Sequence, residues 1–235
     1  MLSGRTQCFR QADGRLINKG GPRVRAEEFE ALRHARQLGV PVPTVSEFSS
    51  DTRTIWMEYV EGELLEDVWP TLSDCEKIAY AQQLGRYISL MRSDQKEKIA
   101  IGGVNGPAHD CRAYDSHTGG PFANETEFNS FVLNLYTQCP KPIRDSLMSQ
   151  MRSDHSTTFT HGDLTPRNVI IKDGGIRAII DWEFAGWFPE HWEYVKFFEC
   201  CTDCHDWKNY APHVFDTSYE KELVVHQAIV RWQRP

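Results

Sequence analysis

Asp163 and Asn168 stand five positions apart in the stretch HGDLTPRN (161–168), and Asp181 follows thirteen positions after Asn168. A carboxylate, a carboxamide and a second carboxylate at this spacing suit the movement of a phosphoryl group onto a hydroxyl. That reaction asks for little covalent work. It needs an aligned hydroxyl, a carboxylate to receive its proton, and a divalent cation to neutralise the phosphates. Asp163 can point its carboxylate at the acceptor while Asn168 offers an amide oxygen to a metal ion. Between Asn168 and Asp181 runs VIIKDGGIRAII, two apolar runs around a turn signal, which reads as a β-hairpin. A chain that goes out and back returns Asp181 to the side of Asn168. Two protein oxygens plus phosphate oxygens suit Mg²⁺, which keeps several waters and rarely takes a full protein cage. No zinc-type cluster competes at this position.

These groups need a frame, and the pattern along the chain supplies one. Residues 6–17 alternate around Asp13-Gly14, a hairpin signal. Residues 24–38 carry apolar residues at helical spacing (Phe29, Leu32, Ala35), with Gly39 where a C-cap would sit and Pro41 and Pro43 beyond. Strand-like runs follow at 44–48 and 54–60. From Ser73 the pattern turns helical: Ser73 and Glu76 form a capping box ahead of a stretch to about Met91, and Asn124 and Glu127 form another. Pro140 and Pro142 close that second segment. Near Thr158 the period switches to strand, and the tail is helical again behind a capping box at Thr217 and Glu220. The expected fold class is α+β: a small strand-rich lobe, then a larger mostly helical lobe with a hairpin inside it.

Composition narrows the class further. The chain has 235 residues, of which 40% are hydrophobic and 25% charged, ordinary globular usage that excludes disordered and fibrous classes. No apolar run approaches the roughly 20 residues of a membrane span. The start, MLSGRTQCFRQADGR, has no apolar h-region, so the expectation is a soluble, cytoplasmic chain with no membrane partner. The net charge of −7 argues against nucleic acid as a partner and leans toward cationic ligands. Seven scattered cysteines without a secretion signal are expected to be reduced. The sequence carries no signal of oligomeric state.

HGDLTPRN together with IDWEFAG (180–186) resembles the catalytic and metal-binding motifs of the protein-kinase-like fold, and is most similar to the aminoglycoside phosphotransferase family, within it to the numerous fungal members. VPVPTVSEF, MEYVEGELLEDVW, the GGPF segment from Gly119 and GWFPEHWEYVKFF agree, so the resemblance runs from about residue 16 to 198. It implies a two-lobed fold, with a shortened nucleotide-binding lobe in residues 1–60 and a catalytic and acceptor-binding lobe in 61–235. It also implies ATP and Mg²⁺ as cofactors and a hydroxylated small molecule, amine-bearing or not, as acceptor.

Carried over residue by residue, the resemblance makes Asp163 the base that orients the acceptor hydroxyl, and Asn168 and Asp181 the Mg²⁺ ligands. Lys19, in LINK, matches the strand lysine that contacts the α- and β-phosphates, and Glu28 is its expected helix partner, with Glu27 and Glu30 as rivals. Met57 would back the adenine pocket, while the Glu58 carbonyl and Val60 amide read the adenine edge. His161 is expected to support the loop by hydrogen bonding rather than to transfer protons.

Three departures from the kinase pattern shape the expected function. Gly162 stands where protein kinases have an arginine that pairs with a phosphorylated loop, and only seven residues separate Asp181 from Pro189. Both favour a small-molecule acceptor over a protein. Fewer than twenty residues precede Lys19 and no GxGxxG is visible; Ser3-Gly4 is the one hint of a phosphate-covering turn. Either backbone amides of the 10–15 hairpin cover the phosphates or the first strand is missing, so the alternative function is a catalytically weak, pseudokinase-like protein that binds nucleotide or a metabolite.

Other constellations carry less. Cys201 to His205 has the C-x-x-C-H spacing of haem attachment, with Cys200 adjacent, but belongs with exported proteins. Asn124-Glu125-Thr126 is a sequon that serves as a helix cap. Trp187, Trp192 and Trp207 follow the metal loop and read either as core or as an aromatic wall for an amine. Glu190, Glu193, Asp203 and Asp206 are its acidic counterparts or a solvated face.

Overall fold

A computed structural model describes residues 7–11, 15–94, 100–110, 117–134 and 139–232. An antiparallel sheet opens the fold, built from β1 (Gln7–Arg10), β2 (Leu16–Gly20), β3 (Val45–Ser49) and β4 (Thr54–Glu58) in the order β1-β2-β4-β3. Helix α1 (Ala26–Gln37) lies between β2 and β3 in the chain. The expected hairpin exists as β1 against β2, with Arg10 opposite Ile17. Its turn at Asp13-Gly14, like Ser3-Gly4, lies outside the described residues. Register sets Ile17 opposite Met57 and Lys19 opposite Ile55. Directly opposed residues share a face of a sheet, so Lys19 shares its face with Ile17, Ile55 and Met57.

Helix α1 ends as its sequence predicts. Gly39 adopts φ +85°, and the Gly39 and Val40 amides donate to the carbonyls of Arg36 and Ala35. These bonds satisfy carbonyls that the helix end would leave bare, and glycine takes the left-handed conformation without a Cβ penalty. The helix buries Glu28, Ala31, Leu32 and Ala35, a single face at helical spacing.

Beyond β4 come β5 (Glu63–Leu64), the short α2 (Leu65–Val68) and the long α3 (Asp74–Ser93). Ser73 and Glu76 form the expected capping box at the start of α3. Then follow β6 (Gly102–Gly103), β7 (Ala108–Asp110), β8 (His117–Gly119), α4 (Glu125–Asn134) and α5 (Lys141–Gln150). Asn124 and Glu127 cap α4 reciprocally: the Glu127 amide donates to Asn124 Oδ1 at 3.0 Å, and the Ala123 amide donates to Glu127 Oε2 at 3.0 Å. The α5 helix corrects the reading of Pro140 and Pro142 as a stop, because Pro142 lies in the first turn, where a missing N–H costs no bond.

The remaining elements are β9 (Thr157–Thr160), β10 (Val169–Lys172), β11 (Gly175–Ile179), β12 (Gly186–Pro189), α6 (Trp192–Glu199), α7 (Ala211–Val214) and α8 (Glu220–Val230). They complete two three-stranded sheets, β11-β10-β5 and β6-β12-β9. The capping box expected at Thr217 and Glu220 does not form. Tyr219 takes the cap position without a side-chain bond, and its buried ring packs on Tyr194 and His191 instead.

The whole is α+β and two-lobed. One hydrophobic core joins Leu32, Ile55 and Met57 of the first lobe to Leu84, Leu164, Val169 and Trp182 of the second. A second core, with Phe128, Phe188, Trp192 and Ile229, ties α4 to α6 and α8. Among the described residues no helix is long and apolar enough to cross a membrane.

Candidate active site

The hairpin decides where the polar groups meet. Strands β10 and β11 pair antiparallel, and just beyond them the Ile180 amide donates to the Asn168 carbonyl at 2.9 Å. Asp181 therefore starts its turn beside Asn168. It does so at φ +63°, the left-handed region in which Asp is among the better-tolerated non-glycine residues. A second tie, from the Ile179 amide to the Pro41 carbonyl at 2.8 Å, anchors the returning strand on the first lobe.

Lys19 reaches this point from β2. Its Nζ lies 2.6 Å from Glu28 Oε1 and 2.7 Å from Asp181 Oδ1, so it bridges α1 and the end of the hairpin. Of the three candidate glutamates Glu28 is the partner, since it shares the buried face of α1. Burial opposes the Lys19 charge, but Glu28 and Asp181 outweigh it and hold the ammonium well above the usual lysine value. Burial pushes the Glu28 carboxyl up to about 7 against the pull of Lys19. Asp181 goes the other way: burial would raise it, and Lys19 holds it below the ordinary carboxylate range. With both carboxylates ionised the trio has one negative charge in excess.

A cavity of about 540 Å³ opens in front of these groups. Ile17, Leu32, Met57, Ile170 and Ile180 supply apolar walls, and Glu58, Tyr59 and Val60 form its rim. Lys19, Glu28, Asn168 and Asp181 cluster as its polar wall. An apolar slot with a few convergent charged groups has the general form of a cofactor site.

Asp163 is buried and fixed by local partners. Asn168 Nδ2 donates to Asp163 Oδ2 at 3.0 Å and to the Asp163 carbonyl at 2.9 Å, which commits the amide nitrogen and leaves the carboxamide oxygen as the atom for a cation. His161 braces the loop. The Asp163 amide donates to its Nδ1 at 3.1 Å, so its Nε2 carries the proton and donates to the Ile180 carbonyl at 3.0 Å. Gly162 is required by shape: it has φ +83°, and a Cβ there would sit 2.9 Å from the Phe184 carbonyl oxygen. An arginine at this position would meet that backbone contact.

A family model described as the phosphotransferase enzyme family (APH) matches residues 15–207. The chain belongs to this family. Solved structures with the same fold include the ADP-bound aminoglycoside phosphotransferase APH(2'')-Ib, at TM-score 0.67 and 16% identity over 97% of this chain and 79% of that one. An aminoglycoside-3'-phosphotransferase of type VIII aligns at TM-score 0.65 and 17% identity, over 99% and 90% of the two chains. Among curated proteins, the KEOPS complex subunit Bud32 of Pyrococcus abyssi is 38% identical over 61 residues, a stretch spanning 26% of this chain and 28% of that one.

Two residues of this candidate site escape the sequence reading. Arg167 Nη2 lies 2.8 Å from both Asp163 carboxylate oxygens, while its Nη1 donates to the Cys201 carbonyl. Glu193, read as a surface acid for an amine, is buried and accepts the amides of His161 and Gly162, at 2.5 and 3.3 Å. Burial raises its carboxyl, and the two amides and His161 work against that rise. Trp192 through Phe197 are all buried, so the charged Glu193 lies in the interior.

On the acceptor side, the core reading of the tryptophans holds over the aromatic-wall alternative. Trp187, Trp192 and Trp207 are only 6%, 2% and 0% exposed. They pack against His34, Phe128 and Trp69 respectively. Asp206 takes the Trp69 indole N–H at 2.7 Å and pairs with Lys77, so it is not an unpaired acid awaiting an amine. Cys204 is buried with its Sγ toward the Glu66 carbonyl, and Cys200 packs under the Gly162 carbonyl, an arrangement that leaves no C-x-x-C face for haem.

Proposed function

We propose that this protein transfers the terminal phosphoryl group of ATP to a hydroxyl of a small molecule. What supports the reading is a single convergence: Lys19, Glu28, Asn168 and Asp181 share one wall of an apolar slot, and Asp163 is hydrogen-bonded to that wall through Asn168. Residues up to 60 would form the nucleotide lobe, with Met57 behind the adenine and the Glu58 carbonyl and Val60 amide on its edge. Residues 61–235 would supply catalysis and acceptor binding. The donor implies a cytoplasmic setting.

Each residue then has a task that follows from its chemistry. Lys19, held charged and aimed by Glu28, binds the α- and β-phosphates. The Asn168 oxygen and an Asp181 oxygen would hold Mg²⁺, and the negative excess of the Lys19–Glu28–Asp181 trio fits a divalent cation. When bound, that ion neutralises phosphate charge. Asp163 orients the acceptor hydroxyl and takes its proton as the oxygen attacks phosphorus. Arg167 keeps the carboxylate pointed, and His161 and Glu193 hold the loop. The β12 strand begins at Gly186, five positions after Asp181, a short span that favours a small-molecule acceptor over a polypeptide.

The test is transfer of labelled phosphate from ATP into an extract of hydroxylated metabolites. Asp163→Ala is expected to lower kcat by about 10²–10⁴-fold, the range for a positioned base, with an unchanged circular dichroism spectrum. Unchanged turnover would refute the mechanism. Tight ATP binding with neither transfer nor hydrolysis would instead favour a nucleotide-binding protein without turnover.

A further inference from the structure

Glu125, His155 and His191 come from three separate stretches: the first turn of α4, the loop ahead of β9 and the turn ahead of α6. They meet in the interior, with side chains 4%, 1% and 4% exposed. Glu125 Oε1 lies 2.7 Å from His155 Nδ1 and 3.7 Å from His191 Nδ1. One ligating atom from each residue falls within 4.8 Å of the others, and the two imidazole centroids are 4.5 Å apart. Hydrogen bonding explains only part of this. Among the described residues His191 Nδ1 has no hydrogen-bond partner, although buried polar atoms normally have one.

We infer that Glu125, His155 and His191 form a binding site for a zinc-class divalent ion that ties α4, β9 and α6 together. Ligands of one tetrahedral ion at bonds near 2.1 Å stand about 3.4 Å apart. The 3.7 Å spacing of Glu125 and His191 already fits that figure, and the 2.7 Å contact with His155 needs to open by about 0.7 Å. The ion replaces the proton shared by Glu125 and His155, which leaves to solvent. Two further features have the form such a site requires. His155 Nε2 stands 3.4 Å from Glu222 Oε1 on α8, so a carboxylate is placed to take the far N–H of a metal-bound imidazole. A cavity of about 10 Å³ lined by His191, Glu222 and His226 has about the volume of one water, the fourth ligand that an ion with three protein ligands takes. Two imidazoles and one carboxylate select Zn²⁺ or another late first-row ion over Mg²⁺.

The experiment is a Co²⁺ and Zn²⁺ titration of EDTA-stripped full-length protein in excess Mg²⁺, which saturates the proposed nucleotide-site position. One equivalent of Zn²⁺ is expected to survive dialysis, Co²⁺ to give the intense visible bands of a tetrahedral site, and Tm to rise with metal. His191→Ala removes a ligand that makes no hydrogen bond through Nδ1, and is expected to fold and to lose the retained ion. Glu222→Gln is expected to weaken binding about 10–100-fold, the usual cost of losing a ligand's carboxylate partner. Cys201→Ser with Cys204→Ser is expected to change nothing. If His191→Ala misfolds by circular dichroism, His191→Gln gives the same reading. Wild-type protein that retains no ion, or variants at 191 that bind as tightly as wild type, would overturn the site.

Discussion

The two sides of the candidate site are built on different plans. On the nucleotide side, Lys19, Glu28 and Asp181 come from three elements and meet across 162 positions of sequence, at the wall of an open apolar cavity. On the acceptor side, Asp163 is held by neighbours four and five positions away, and the tryptophans beyond it are withdrawn into the core. The first arrangement is a preformed slot in which one lysine is already held between two carboxylates. The second is a local clamp on one carboxylate. A common donor can thus be met by fixed geometry, whereas acceptor choice is left to surfaces that family membership does not specify.

This contrast gives graded expectations. Lys19→Met attacks the nucleotide side and is expected to lower kcat/KM for ATP by about 10²–10³-fold, the loss typical of one preorganised charge donor. It also leaves Glu28 buried without its cation, so Tm falls. Adding Glu28→Gln is expected to restore Tm and not activity. Recovery of both by the double variant would mean that the pair is structural only. Arg167→Gln attacks the acceptor side. Steady-state kinetics are expected to show kcat reduced about tenfold, near 1.4 kcal/mol, with KM for ATP unmoved. A raised KM for ATP would merge the two sides into one. Smallest is Trp207→Phe, which thins the core against Trp69 and Phe197. We expect a loss of about 1 kcal/mol, which shifts Tm by about 2–4 °C in a chain of this size, and an unchanged KM for acceptor. A large change in that KM would return the tryptophan to the binding surface.

Legibility followed sequence distance. Asp163, Asn168 and Asp181 were readable because one loop and one hairpin carry all of them, and a hairpin's geometry is local. Glu28 was readable as the expected partner against two rival glutamates, and its spacing with Ala31, Leu32 and Ala35 marks it as the one on the buried face. Arg167 was hidden in plain sight, since an exposed-looking arginine four residues from an aspartate reads as a surface pair. Glu193 was misread because α6 is buried through two turns, and a charged residue there looks solvated until its amide donors are known, whereas the core reading of the tryptophans held. The Glu125–His155–His191 cluster had no sequence signal at all: its members lie 30 and 36 positions apart and meet only through the packing of α4 and α6 on the second core.

The central claim is that Asn168 and Asp181 hold a divalent ion against the phosphates of a nucleotide gripped by Lys19. Isothermal titration of ATP with and without Mg²⁺, on the wild type and on Asp181→Ala, tests it most directly. Mg²⁺ is expected to tighten ATP binding to the wild type by at least about tenfold, or 1.4 kcal/mol, and to have no such effect on Asp181→Ala. ATP affinity indifferent to Mg²⁺ in the wild type, or the same Mg²⁺ enhancement in both proteins, would contradict the account.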